Sequence, residues 1–126
     1  MSYQKGSRRE NELGEIFAEH GFAWIRAPGS GTAERELPDL LVGKDGRSIA
    51  IEVKSAQKDD KYIYVSKEEV EDLIYFAENF GAEYYVAFRF DYGSWMFVRK
   101  DQMKETSKNY RCERDLSAEE VADVCQ

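Results

Sequence analysis

The segment Ser48-Ile49-Ala50-Ile51-Glu52-Val53-Lys54 alternates with the two-residue period of a β-strand. Ile49, Ile51 and Val53 share one face, so Glu52 and Lys54 project together from the other. A second strand-like run, Leu37 to Val42, precedes it across the gap Gly43-Lys44-Asp45-Gly46-Arg47. An Asp-Gly pair between two such runs is a strong hairpin signal, because both residues tolerate the positive φ that a tight turn needs. The hairpin places Asp39, early in the first strand, beside Glu52. Two carboxylates and one ammonium on a sheet face suit Mg²⁺. Such an ion activates water and offsets charge on a phosphate during transfer. Lys54 would then stand close to the attacking water or the scissile phosphate. Polar residues alternating with Ile and Val also describe any sheet with one wet face. Pro38-Asp39 upstream, the hairpin gap and the lack of rival chemistry favour the catalytic reading.

That lack is visible in composition. The chain has one histidine, His20, and two cysteines, Cys112 and Cys125, too far apart for a Cys-x-x-Cys pair. A disulfide scaffold, a zinc site and a cysteine nucleophile are all disfavoured, and a reducing compartment fits. No apolar run reaches the roughly 18 residues of a membrane span, and the N-terminal charges lead into no signal-like stretch. The expectation is a compact cytoplasmic protein without a membrane partner. Its 126 residues supply a single core, so residues 1–126 are read as one domain, with its core over about 5–100.

The remaining elements follow from caps and periodicity. Ser7 to His20 is predicted helical, with Ser7 and Glu10 as a capping box, apolar Leu13, Ile16 and Phe17 on one face, and Gly21 as the stop. Glu10 falls on that core-facing stripe, where an acid needs a partner. Glu12, Glu15 and Glu19 fall on more solvent-facing rows. Phe22 to Arg26 is a short strand, and Ala27 to Thr32 is a loop rich in breakers. Tyr62 to Val65 is a strand. Ser66 with Glu69 opens a second helix to about Phe80, carrying Val70, Leu73, Ile74 and Ala77 on one face and ending at Gly81. Tyr84 to Phe90 and Ser94 to Arg99 form another hairpin. Residues 101–126 are polar and unassigned apart from a short helix after Ser117. The resulting order, α-β-β-β-β-α-β-β-α, implies an α/β domain with one central mixed β-sheet flanked by helices.

From Lys5 to about Arg99 the chain resembles the archaeal Holliday-junction resolvases, a branch of the restriction-endonuclease-like nucleases. The resemblance rests on Lys5-Gly6-Ser7, Glu10, Glu12-Leu13, His20-Gly21-Phe22, Arg26, Gly29-Ser30, Asp39, Ile51-Glu52-Val53-Lys54, Tyr64-Val65, Leu73-Ile74, Phe76 and Phe80-Gly81. It implies a restriction-endonuclease-like fold. It also implies catalytic roles for Glu10, Ser30, Asp39, Glu52 and Lys54, with Ser30 on a mobile loop. Glu10, Asp39, Glu52 and the Val53 carbonyl are the implied ligands of Mg²⁺, for which Mn²⁺ would substitute. Arg26 and Arg89 are implied DNA contacts. Phe76 and Phe80, offset from the buried row of their helix, are the implied homodimer interface. Asn11 stands where the family often has arginine, and the stretch Thr32 to Pro38 is longer than usual before Asp39.

The expected activity is metal-dependent hydrolysis of four-way DNA junctions, with a two-fold dimer making symmetric cuts during recombination and repair. A nuclease for mismatches, flaps or restriction-type sites, and a non-catalytic DNA-binding module, are the alternatives. The tail after Lys100 is a candidate for docking a sliding clamp, although it shows no docking motif. The net charge of −7 looks hostile to DNA, but residues 1–61 carry 10 Lys+Arg against 11 Asp+Glu, while residues 62–126 carry 8 against 14. The cations Lys5, Arg8, Arg9, Arg26, Lys58 and Lys61 remain available to line a DNA-facing surface.

Overall fold

The computed structural model describes residues 2–27 and 34–126, with the backbone alone for residues 2–6. Helix α1 (Ser2–Glu19) leads to strand β1 (Ala23–Arg26), and β2 (Leu40–Lys44) turns into the long β3 (Arg47–Ala56). Strand β4 (Tyr62–Ser66) runs straight into helix α2 (Lys67–Phe80), followed by β5 (Glu83–Phe90) and β6 (Met96–Val98). After a 3₁₀ turn at Lys100–Gln102 come β7 (Lys104–Glu105), β8 (Asn109–Glu113) and a short helix α3 (Val121–Val124).

Five strands form the central mixed sheet in the order β1-β2-β3-β5-β6. Only β3 and β5 are parallel, joined by the crossover through β4 and α2. The β2–β3 turn is the two-residue Asp45-Gly46 turn, with φ of 51° and 83° at its centre, as the sequence predicts. Helix α1 covers one face of the sheet. Leu13 and Phe17 pack there against Ile49, Ile51, Tyr85 and Ala87. Helix α2 covers the other face, where Val70, Leu73 and Ala77 meet Ala50, Val86 and Phe88. Gly21 ends α1: its N–H reaches the Ala18 carbonyl and the Phe22 N–H reaches that of Phe17, the paired bonds of a left-handed C-terminal cap.

Four points raised by the sequence are settled by the fold. Ser7 caps nothing, because α1 continues to Ser2 and leaves no free helix start at that position. The Glu52 face of β3 is not wet; the α2 crossover covers it, as crossovers above parallel strands do. The expected central mixed sheet is present, but β4 is not in it: β4 pairs with β8, which pairs with β7, and the three form a second sheet. Residues 101–126 therefore belong to the core, into which they send Met103, Tyr110, Cys112 and Val124. Their strands escape sequence reading because β8 presents a mere two buried side chains, Tyr110 and Cys112, between charged neighbours. Among the described residues, no helix is long and apolar enough to cross a membrane.

Candidate active site

The pairing of β2 with β3 stops at Leu40 opposite Ile51. One step further along each strand stand Asp39 and Glu52, just where β3 loses its neighbour. Asp39 lies immediately before β2 rather than within it, and that position turns its carboxylate back onto β3. Its Oδ2 accepts the Val53 N–H at 2.9 Å. Its own carbonyl accepts the Ala27 N–H at 3.2 Å, fixing it from the β1 side. The N–H and C=O of a strand residue point to the same edge, so the Val53 carbonyl shares the vacated edge with Asp39.

Glu52 is the one buried charged residue among those described, 6% exposed. Lys54, two residues on, brings Nζ to 3.8 Å from Glu52 Oε2 and to 2.7 Å from Glu69 Oε2. Glu69 comes from the first turn of α2. Its other oxygen, Oε1, accepts the Ser66 N–H at 3.0 Å, and its own N–H donates to Ser66 Oγ at 3.0 Å. The capping box read from the sequence is therefore present, and it doubles as the seat of the Lys54 partner. Glu10 reaches the group from α1. Its Oε1 lies 3.7 Å from Arg26 Nε, and Arg26 Nη1 donates to Asn11 Oδ1 at 3.1 Å.

Burial and mutual repulsion set the electrostatics. Burial pushes Glu52 well above the carboxylate range, and the Asp39 charge adds to it against the pull of Lys54. Burial raises Asp39 as well, against the Val53 hydrogen bond. Glu10 is pushed up to about 7, by burial first and the Asp39 charge second, with Arg26 opposing. Burial also acts on Glu69, but the bonds from Lys54 and Ser66 outweigh it and hold its carboxyl below the usual range. Crowded carboxylates on one side and a fixed ammonium on the other leave a negative charge excess that a cation would relieve.

Among the described residues no three His, Cys, Asp or Glu side chains converge as a ready cage for a metal ion. Mg²⁺ does not ask for one. It keeps several waters and is held by one or two carboxylates together with substrate phosphates. The Asp39–Glu52 pair fits that requirement, with Glu10 near enough to feel the Asp39 charge.

The other expected residues are distributed unevenly. Ser30 and the side chain of Lys5 lie outside the described residues. Arg8, Lys58 and Lys61 are exposed, and Arg26 is half-exposed beside Glu10. Arg9 is only 13% exposed and bonds Glu12 at 3.1 Å and Asp91 at 2.7 Å. Arg89 donates to the Gly93 carbonyl at 2.8 Å and lies 3.7 Å from Glu12. Glu12 also accepts the Trp95 Nε1–H at 3.3 Å. The sequence places Glu12 toward solvent, yet two arginines and a tryptophan already balance it. This network pins α1 to the β5–β6 turn, and no local signal in the sequence announces it. Phe76 and Phe80 stack on the open side of α2 with ring centroids 5.1 Å apart, and Phe80 is 55% exposed.

Comparison with known proteins gives a single answer. The model of the archaeal Holliday junction resolvase (Hjc) family matches residues 1–126. A crossover junction endodeoxyribonuclease Hjc of Archaeoglobus fulgidus is 37% identical over 112 residues, covering 89% of this chain and 81% of the relative. Another of that name from Methanocaldococcus jannaschii is 34% identical over 116 residues, covering 92% and 81%. The solved structure of Archaeoglobus fulgidus Hjc, a Holliday junction resolvase from an archaeal hyperthermophile, superposes with a TM-score of 0.85 at 34% identity. It covers 95% of this chain and 99% of that one.

Proposed function

The chain belongs to the archaeal Holliday junction resolvase family, and from that premise we propose that it is a cytoplasmic endodeoxyribonuclease that cuts four-way DNA junctions by hydrolysing phosphodiesters on opposed strands. The observation that carries the reading is the end of the β2–β3 hairpin, where Asp39 bonds the Val53 N–H at 2.9 Å beside buried Glu52 and Lys54.

Asp39 and Glu52, with the Val53 carbonyl on the same edge and Glu10 from α1, are the residues that would hold Mg²⁺ or Mn²⁺. Bound there, such an ion supplies an acidified water and neutralises charge on the phosphate. The protein's own part is placement. Asp39 is fixed from two sides by Ala27 and Val53. Burial of Glu52 keeps bulk water from competing for its oxygens. Lys54 holds a positive charge toward the attacking water or a phosphate oxygen, where it counts most in the transition state.

DNA would lie over the exposed cations Arg8, Lys58 and Lys61 together with Arg26. Recognition would rest on the spacing of backbone phosphates at the branch, which carries shape rather than base identity. A two-fold dimer built on Phe76 and Phe80 would present two such sites, matching the near two-fold symmetry of a junction.

The test offers a synthetic four-way junction, a linear duplex, a flap and a mismatched duplex in one competition assay with Mg²⁺. Paired incisions confined to the junction and lost in Glu52→Gln are the expected outcome. Faster cutting of flap or mismatch would reassign the substrate. Tight junction binding with no cleavage in either Mg²⁺ or Mn²⁺ would mark a binding module instead.

A further inference from the structure

We propose that Glu69 is a positioning residue of the active site, the group that holds the Lys54 ammonium in its working place and off the Glu52 carboxylate. The inference rests on the catalytic role given above to Lys54.

The geometry is specific. Lys54 Nζ is bonded to Glu69 Oε2 at 2.7 Å and stands 3.8 Å from Glu52 Oε2. A lysine is a flexible four-carbon stem carrying a compact charge, and in this half-buried place it turns to the nearest carboxylate. Without Glu69 that carboxylate is Glu52, and an ammonium seated on it would occupy oxygens needed elsewhere. Glu69 itself cannot wander. Oε1 takes the Ser66 backbone N–H at 3.0 Å, leaving Oε2 aimed at Lys54. The first turn of α2 is thus a clamp with two jaws, one on its own helix start and one on β3.

A structural role for the capping box alone makes a different forecast, and the chemistry of glutamine separates the two. A capping box accepts Gln as readily as Glu at its third helical position. In Glu69→Gln the amide oxygen can still take the Ser66 N–H, but the other arm becomes an NH₂ donor that cannot accept from an ammonium. The cap survives and the Lys54 bond is lost. Ser66→Ala does the converse: it removes Oγ from the cap and leaves the Glu69 carboxylate, with both its bonds, in place.

The experiment measures single-turnover junction cleavage, junction affinity and thermal stability of the full chain with each substitution, and solves the Glu69→Gln crystal structure. Expected for Glu69→Gln is a rate lower by about 10- to 100-fold, the range for an active-site group misplaced by about 1 Å, with junction Kd within about twofold of wild type and its melting unchanged. Lys54 Nζ should close on Glu52 in that crystal. Ser66→Ala should melt lower yet cleave within about twofold of wild type. A Glu69→Gln enzyme at the wild-type rate, a Ser66→Ala loss of rate equal to it, or Lys54 unmoved in the crystal each overturns the proposal. The crystallographic readout uses no DNA, so it decides the positioning role even if the wild type leaves junctions uncut, a result that would count against the proposed function instead.

Discussion

Asp39 and Glu52 stand side by side at the open end of the β2–β3 hairpin, the first half-buried and the second buried, and both hold their protons more tightly than free carboxyls do. A carboxyl whose pKa is raised by folding stabilises the fold most below its unfolded value and withdraws that support as pH rises through its folded value. Between their unfolded and folded values this pair should therefore withdraw stability from the metal-free protein as pH rises, opposite to the effect of Glu69, whose lowered carboxyl withdraws it as pH falls. Glu52→Gln replaces the most buried of these acids by a neutral amide of the same shape, so it should melt higher than wild type at pH 8 in chelator. Mg²⁺ should raise the wild-type midpoint and leave that of Glu52→Gln little changed, as differential scanning calorimetry would show.

Glu10 reports the same effect at a different pH. Its shift from 4.5 to about 7 sets a window in which wild type loses stability between those values. Glu10→Gln should flatten that stretch of the stability profile, by on the order of 1–2 kcal/mol once its partial exposure to solvent is allowed for. Urea unfolding at half-unit pH steps in chelator measures it.

Basic residues that look alike in sequence should behave in opposite ways. Lys58→Ala and Lys61→Ala should each lower the slope of log affinity for a junction against log salt by about 0.9, the signature of one phosphate contact on duplex DNA. Arg9→Ala should leave that slope unchanged and instead cost about 1–3 kcal/mol of folding stability, since it removes the Asp91 bond that pins α1 to the β5–β6 turn together with the Glu12 bond within α1. Fluorescence anisotropy across salt concentrations and denaturant melts separate the two outcomes.

A stability probe away from the site is Gly14, on the face of α1 that meets β1. A Cβ added there would sit 2.4 Å from Trp24 Cδ2 and 2.5 Å from Cε3. The gain in helix propensity of about 1 kcal/mol for Gly→Ala is smaller than the strain of driving an indole ring aside. Gly14→Ala should lose about 1–2 kcal/mol net, and the loss should shrink in the Trp24→Ala background.

Phe80→Glu tests the assembly. A charge beside Phe76 on the open side of α2 should shift the protein to monomers in light scattering and uncouple the two incisions in a supercoiled cruciform.

The hairpin, the shared face of Glu52 and Lys54, and the Ser66–Glu69 box were all legible because each depends on residues close in sequence. Turn chemistry, strand period and helix caps are local, and local rules read them. The second sheet was not legible, because β8 pairs with β4 across more than forty residues and little in either strand names its partner. The ion pairs of Arg9 and Glu12 were not legible for a related reason. Their partners Asp91 and Trp95 arrive from the far end of the sheet, and an arginine's sequence neighbours do not say whether its charge faces DNA or an acid of its own fold. Glu69 lay between these cases: its cap was visible, its hold on Lys54 was not.

The late pairing of β4 also has a meaning in time. A ribosome releases β4 and the start of α2 well before it makes β8, so the strand that leads into the Ser66–Glu69 clamp emerges with one backbone edge uncovered. Until Asn109–Glu113 has followed, Ile63 and Val65 lack the Tyr110 and Cys112 side chains that bury them. Completion of β8 is what closes the second sheet behind the Ser66–Glu69 clamp. A nascent chain carries the acids of the site before it carries that strand.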